Sequence, residues 1–198
     1  MKPTPILAIA TALAMFSTAP ALAQSQDRQA KDRSAQTQKS AKKDSSRDAK
    51  RMKDLALANM AEIETGKLAL EKAQDPKVKA FAQHMVDDHG RMLQEVKQLA
   101  QAKGVELPTT PDAKHRKALK KLQSLSGGKF DREYMQAMVK DHRDALKLAR
   151  GTAKSAEDAE LKAAAQKAAP DIQQHLKMAQ DISRTATAKG EKRSAAGR

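Results

Sequence analysis

The sequence predicts an all-α protein: a four-helix bundle made of two antiparallel hairpins joined by a long crossover that carries a short helix. Three observations lead there. Apolar residues recur at three- and four-residue spacing along four long segments, the signature of amphipathic helices. With three Phe, one Tyr, no Trp and no Cys, the interior must be filled by Ala, Leu, Met, Val and Ile, a palette that suits packed helices. Two of the gaps between segments are tight turns, and the third is far longer than the usual connection between neighbouring bundle helices.

Residues 1–23 read as an export signal, with Lys2, an apolar run from Ile6 to Phe16 and the A-x-A pattern Ala21-Leu22-Ala23. Cleavage is expected after Ala23, leaving a periplasmic or secreted product. The apolar run is shorter than the roughly 20 residues of a spanning helix, so no transmembrane segment is expected in the mature protein. Without cysteine there is neither a disulfide nor a thiolate site, and any metal must be held by His, Asp, Glu or Met.

The formal charge is +14 and is unevenly spread. From Gln24 to Lys53 ten Lys/Arg stand against four Asp, and no apolar side chain larger than Ala precedes Met52. Such a stretch buries too little surface to offset its ordering entropy, so residues 24–50 are expected to form a disordered basic arm and 189–198 a similar tail. The bundle domain is then 51–188. The arm is either a solvated tether or a contact for anionic envelope surfaces. Nucleic acid is not expected, because export removes the usual partner and stacking aromatics are nearly absent.

The first helix runs from about Asp48 to Ala73 with Met52, Leu55, Ile63, Gly66 and Leu70 in line, interrupted by Asn59, which reads as a hydrogen-bonded core residue. Asp75-Pro76 is an N-cap followed by proline at the first helical position. The second helix continues to about Lys103 with Val78, Phe81, Met85, His89, Met92 and Val96 on its stripe, and Gly104 closes it. Residues to Lys129 hold Pro108, Pro111, a short helix and Gly127-Gly128, and are long enough to cross the bundle lengthwise, making the second and third long helices parallel. The third begins near Asp131, read as its N-cap, with Tyr134, Met138, Asp141, His142 and Ala145 on one side. The fourth follows a turn at Gly151 to Asp158, with Leu161, Ala165, Ile172, His175 and Ala179 in line and a bend expected at Pro170.

Two internal duplications accompany this plan. FAQHMVDDHGRML at 81–93 matches YMQAMVKDHRDAL at 134–146 and pairs Asp88 with Asp141 and His89 with His142. DPKVKAFAQ at 75–83 resembles DAELKAAAQ at 158–166. Two similar hairpins with a long crossover make the ferritin-like plan.

His89 and His175 fall near the centres of apolar stripes, His142 and Asp141 straddle the middle of theirs, and Glu62 lies at the edge of the first helix's apolar face. Glu62 precedes Asp75 by 13 residues and His89 follows it by 14, so both stand roughly 20 Å from the turn. His142 precedes Asp158 by 16 residues and His175 follows it by 17; the loop uses part of the first count, so their heights are expected to agree to within about one helical turn, roughly 5 Å. One carboxylate and three imidazoles, one per helix, are thus expected to meet, a donor set for one transition-metal ion (zinc, copper or iron). Asp88, Asp141, Asp171 and Tyr134 are candidates for outer partners or extra ligands. His84 reads as solvated and His115 as packing on the crossover helix.

The segments AEIETGKLAL, DPKVKAFAQHMVDDH, GGKFDREYM with KDH, and APDIQQHLKMA resemble the secreted bacterial domain of unknown function forty-one forty-two, over roughly residues 55–185. The resemblance implies a ferritin-like four-helix fold outside the cytoplasm and brings no activity with it. No Glu-x-x-His occurs on any helix, which argues against a carboxylate-bridged di-iron pair. The reading is therefore an exported bundle that binds a metal ion in its core, in metal handling or envelope stress, with no catalytic residues assigned. The alternatives are a structural or interaction protein with core histidines and an envelope-contacting arm, and an oxidoreductase, which would need an open coordination position.

Overall fold

The computed structural model describes the backbone of residues 20–196 and the side chains of 31 and 33–185. Most of the expected leader lies outside the described residues. Five helices follow one another: α1 (Pro20–Lys72), α2 (Pro76–Ala102), α3 (Ala113–Gln123), α4 (Gly127–Ser155) and α5 (Ala159–Ala196). No strand occurs among the described residues, and none of these helices is long and apolar enough to cross a membrane.

The chain divides into two compact units, Met1–Ala41 and Lys42–Arg198. In the first, the described side chains are all exposed. Disorder is expected from sequence for 24–50 and 189–198, yet α1 begins at Pro20 and α5 reaches Ala196. The Ala, Lys, Gln and Arg of these segments have high helix propensity and need no buried face to adopt helical backbone. Near the edge of the second unit, Arg47 pairs with Asp44 and Lys50 with Asp54 one turn apart, worth a few tenths of a kcal/mol each.

In the second unit α1 and α2 form an antiparallel hairpin. Ala69 and Ala73 share a cluster with Val78 and Phe81 near the turn, while Met52 and Ala56 pack with Val96 and Ala100 at the far end. Gly66 allows the close approach: a Cβ there would meet Val86 Cγ2 at 2.8 Å and the Ala82 carbonyl oxygen at 3.2 Å. The turn is the expected one, with the Asp75 carboxylate accepting from the Lys77 amide and Pro76 opening α2. At the other end Gly104 adopts φ +64°, the left-handed conformation that favours glycine after a helix.

The connection does travel the length of the bundle. Its start, Val105 and Leu107, packs with Met52 and Val96, whereas at its end Lys72 Nζ bonds the carbonyls of Gln123 and Leu125. Accordingly α4 runs parallel to α2: Tyr134 stands beside Phe81 and His142 beside His89. Helix α4 starts earlier than expected, capped at Ser126, with Gly127 at φ +60°. Asp131 is therefore not its N-cap.

Asp131 instead reaches across to the first hairpin, accepting from the amides of Gln74 (3.1 Å) and Asp75 (2.9 Å). Asp48 does the same in reverse, accepting from Glu157 (3.0 Å) and Asp158 (2.7 Å). Each hairpin begins with a buried aspartate that clasps the turn of the other. The interval from Asp48 to Asp75 and from Asp131 to Asp158 is the same 27 residues, so the two clasps are copies of one device. Asp131→Ala and Asp48→Ala should each destabilise the protein by about 1–3 kcal/mol through stranded amide donors, additively because the clasps lie at opposite ends. Urea unfolding of the single and double variants checks this; Asp131→Asn, which keeps an acceptor oxygen, should recover part of the loss.

Candidate metal centre

The apolar core is not continuous. Between the cluster around Phe81 and Tyr134 and the clusters around Val96 and Ile172 lies a polar layer of buried side chains that includes Asn59, Glu62, Asp88, His89, His142 and His175. Every long helix contributes to it. The three histidines are 0–2% exposed, and one nitrogen of each lies within 4.8 Å of one nitrogen of the other two. Their ring centroids form a near-equilateral triangle of 5.4, 5.4 and 5.5 Å.

Hydrogen bonds at the outer edge of each ring fix which nitrogen carries the proton. His142 Nδ1 is 2.9 Å from the Met138 carbonyl oxygen; a carbonyl only accepts, so Nδ1 donates and Nε2 keeps its lone pair. His175 Nε2 is 2.9 Å from Asp88 Oδ2 and donates to that carboxylate, which leaves the lone pair on Nδ1. His89 Nδ1 is 2.8 Å from Asn59 Oδ1. The Asn59 amide is oriented by its own bond from Nδ2 to the Leu55 carbonyl at 2.8 Å, so His89 donates too.

His89 Nε2, His142 Nε2 and His175 Nδ1 are therefore the nitrogens left with lone pairs. His89 Nε2 and His142 Nε2 face each other at 3.4 Å with no proton to place between them, and buried His175 Nδ1 has no hydrogen-bond partner among the described residues. A proton does not easily relieve the conflict. Burial, then the neighbouring histidines, hold His89 well below its ordinary 6.5. His142 is lowered to about 4, first by burial and then by His175. His175 is lowered by burial against the pull of Asp88. Three neutral imidazoles held by outer hydrogen bonds, with free lone pairs converging, form a ligand set for a cation.

Glu62 approaches from the other side. Its Oε1 is 3.7 Å from His142 Nδ1, the nitrogen already committed to Met138, and Oε2 has no partner among the described residues. Burial first, then the charge of Asp141, raises its pKa well above the ordinary value. Glu62 thus neighbours the histidine trio without completing it. It also lines two cavities. One, of about 40 Å³, lies beside His89 and Met92, large enough for a water-sized ligand. The other, of about 270 Å³, is a cleft shared with Asp141 and His115.

The outer candidates separate. Asp88 is the direct partner of His175. Burial disfavours its charge, but the His175 hydrogen bond and the charges of His84 and Arg91 outweigh this and lower its pKa. Asp141, the duplicated counterpart of Asp88, instead sits 3.6 Å from Lys140 and faces the cleft. Asp171 is exposed, because Ile172 takes the buried position beside it; it acts on His175 only through its charge. Tyr134 is an anchor, stacked on Phe130 and edge-on to Phe81, with its hydroxyl unpartnered among the described residues. His84, expected to be solvated, is only half-exposed and stands 3.4 Å from Asp88 Oδ2; the four-residue interval to Asp88 was its signal. Asn59 holds His89, a role sequence had left at general hydrogen bonding.

Residues 33–182 match the family model described as Domain of unknown function (DUF4142). The chain belongs to that family. Comparison with curated proteins gives no match. Among solved structures, this DUF4142 chain is similar to a putative secreted DUF305 protein from Streptomyces coelicolor, with TM-score 0.62 and 15% identity over 71% of this chain and 93% of that one. It is also similar to CopM in its Cu(II)-bound form, with TM-score 0.60 and 20% identity over 70% and 96%, and to the Ag-bound form, at 0.59 and 20% over the same shares. These likenesses establish the helical-bundle fold.

The depressed histidines have a consequence for stability. Unfolded, they titrate near 6.5; folded, below it, and His142 at about 4. Between those values the unfolded chain binds more protons, so their contribution is complete above pH 6.5 and is lost as pH falls toward about 4. Glu62 runs the opposite way, stabilising at low pH, but is one group against three. The melting temperature in chelator should therefore fall from pH 6.5 to 4. His142→Leu should flatten the fall by an amount corresponding to about 3 kcal/mol; an unchanged profile in that variant contradicts the assignment.

Proposed function

We propose that this protein is an exported metal-handling bundle that holds one transition-metal ion, copper foremost, on His89 Nε2, His142 Nε2 and His175 Nδ1. The observation that carries the reading is the convergence of three lone pairs whose rings are locked by Asn59, Met138 and Asp88. In an apolar bundle such an arrangement is costly unless a cation occupies its centre. Imidazole donors suit copper and zinc, and copper(II) stands highest among divalent first-row ions at a nitrogen site. The fold shared with a protein solved in Cu(II)-, Cu(I)- and Ag-bound forms supports the same choice. Export follows from the leader pattern at residues 1–23.

The cavity beside His89 and Met92 offers room for a fourth, exchangeable ligand. The reading is one of binding and delivery of the ion.

Copper at about 100 times its dissociation constant should stabilise the native state by about 2.7 kcal/mol, a rise in melting temperature of about 5–11 °C for a protein of this size. His142→Leu should abolish that rise. It should cost little in chelator, because the Met138 carbonyl keeps its helical amide partner and leucine suits the surrounding core. Thermal denaturation with and without chelator across copper, zinc and iron checks this, together with metal analysis of untagged protein. A flat wild-type response to all three metals would leave the histidines as structural core residues.

A further inference from the structure

A second group of ligand atoms lies directly outside the first and shares a member with it. One atom each from His84, Asp88 and His175 lies within 4.8 Å of the other two. Asp88 Oδ2 is the hub, 2.9 Å from His175 Nε2 and 3.4 Å from His84 Nε2. The His84 and His175 rings meet edge to face with centroids 5.1 Å apart. Side-chain exposure rises in steps outward, from 1% at His175 through 10% at Asp88 to 40% at His84. The other carboxylate oxygen, Oδ1, is held by Arg91, whose side chain is 71% exposed and free to move aside.

Resting on the reading that the inner trio holds a metal ion, we propose that His84, Asp88 and His175 form an outer capture position through which the ion enters the buried site. His84 alone is a surface imidazole, and an i,i+4 His–Asp pair is common on solvated helices. Here the pair is different because its carboxylate also holds the ring of His175, a member of the buried set. An ion arriving on His84 Nε2 and Asp88 Oδ2 is separated from the inner nitrogens by the single imidazole of His175. In the capture state the ion is held by His84 Nε2 and Asp88 Oδ2, while His175 Nε2 keeps its proton and its bond to Asp88 and so holds the carboxylate in place. No proton has to move for the ion to pass from the outer position to the inner one. The chain ends with the same proton count, and the ion keeps its oxidation state. Placing the aspartate between an exposed and a buried histidine also supplies negative charge along the route, where an all-imidazole path would leave an entering cation uncompensated.

The test is kinetic. Copper(II) uptake by the full chain is followed by stopped-flow absorbance, and affinity is measured separately by chelator competition. His84→Gln removes the outermost ligand but touches none of the three inner nitrogens. It should slow both uptake and release while leaving the dissociation constant essentially unchanged. Arg91→Gln, which removes the competing cation from Asp88, should speed uptake. Wild-type rates in His84→Gln overturn the capture position, as does a weaker affinity with an unchanged uptake rate, which would make His84 part of the final site. If the wild-type chain binds no copper at equilibrium, the inner-site reading fails first and takes this one with it.

Discussion

Three buried histidines crowd together in the middle of an apolar bundle, and much of the remaining structure serves to keep them there. Left to itself such an arrangement relaxes: a ring flips, or a side chain swings to solvent. It persists because each ring is held at its outer nitrogen by a group that is itself fixed. Met138 belongs to the same helix as His142, one turn back. Asn59 is locked by a bond to its own helix at Leu55. Asp88 is buried against α5. Only the His142 bond lies within one helix; His89 is held by Asn59 of α1 and His175 by Asp88 of α2, so the orientation of two of the three rings already depends on how the helices pack.

That packing is set from the ends. The two aspartate clasps join each hairpin's beginning to the other's turn, so α1 and α2 cannot slide along α4 and α5 without stranding backbone amides. Axial slippage of a helix by one residue would move its contribution to the polar layer by about 1.5 Å, well beyond the roughly 0.5 Å that a functional site tolerates. The apolar clusters above and below the layer supply stability but little register, since Ala, Leu and Met stripes fit one another in several alignments. Specific polar contacts at the termini and at the middle provide the register that the core lacks.

The duplicated helix illustrates how similar sequence is turned to different use. Asp88 and Asp141 occupy equivalent places beside His89 and His142, yet Asp88 faces α5 and binds His175 while Asp141 faces the cleft between α1 and α4. The two copies sit at different positions in the ring of helices, so the same residue pair meets different neighbours. The polar layer is consequently asymmetric. It reaches toward solvent through His84 on one face, and on the other ends at Glu62, protonation of which is favoured by burial.

The sequence by itself determined the helices, the parallel course of α2 and α4, and which histidines turn inward, because these follow from periodicity, caps and the fixed rise of a helix. His89, His142 and His175 were legible for that reason, each being a titratable residue at the centre of an apolar stripe. Composition led to an expectation of disorder for the basic segment before Asp48, whose backbone is helical in the structure with its described side chains up to Ala41 all exposed. What only the tertiary structure decided is the outer set of partners. Asn59 is an ordinary polar residue until α1 is placed beside α2, as are Asp88 and His84 until α5 is. Glu62 was correctly read as buried, but a helical wheel gives direction and height without distance, and it stands on the wrong side of His142 to join the trio. Asp131 read as a cap on its own helix and proved to be a clasp on another, a contact spanning 56 residues that no local pattern encodes.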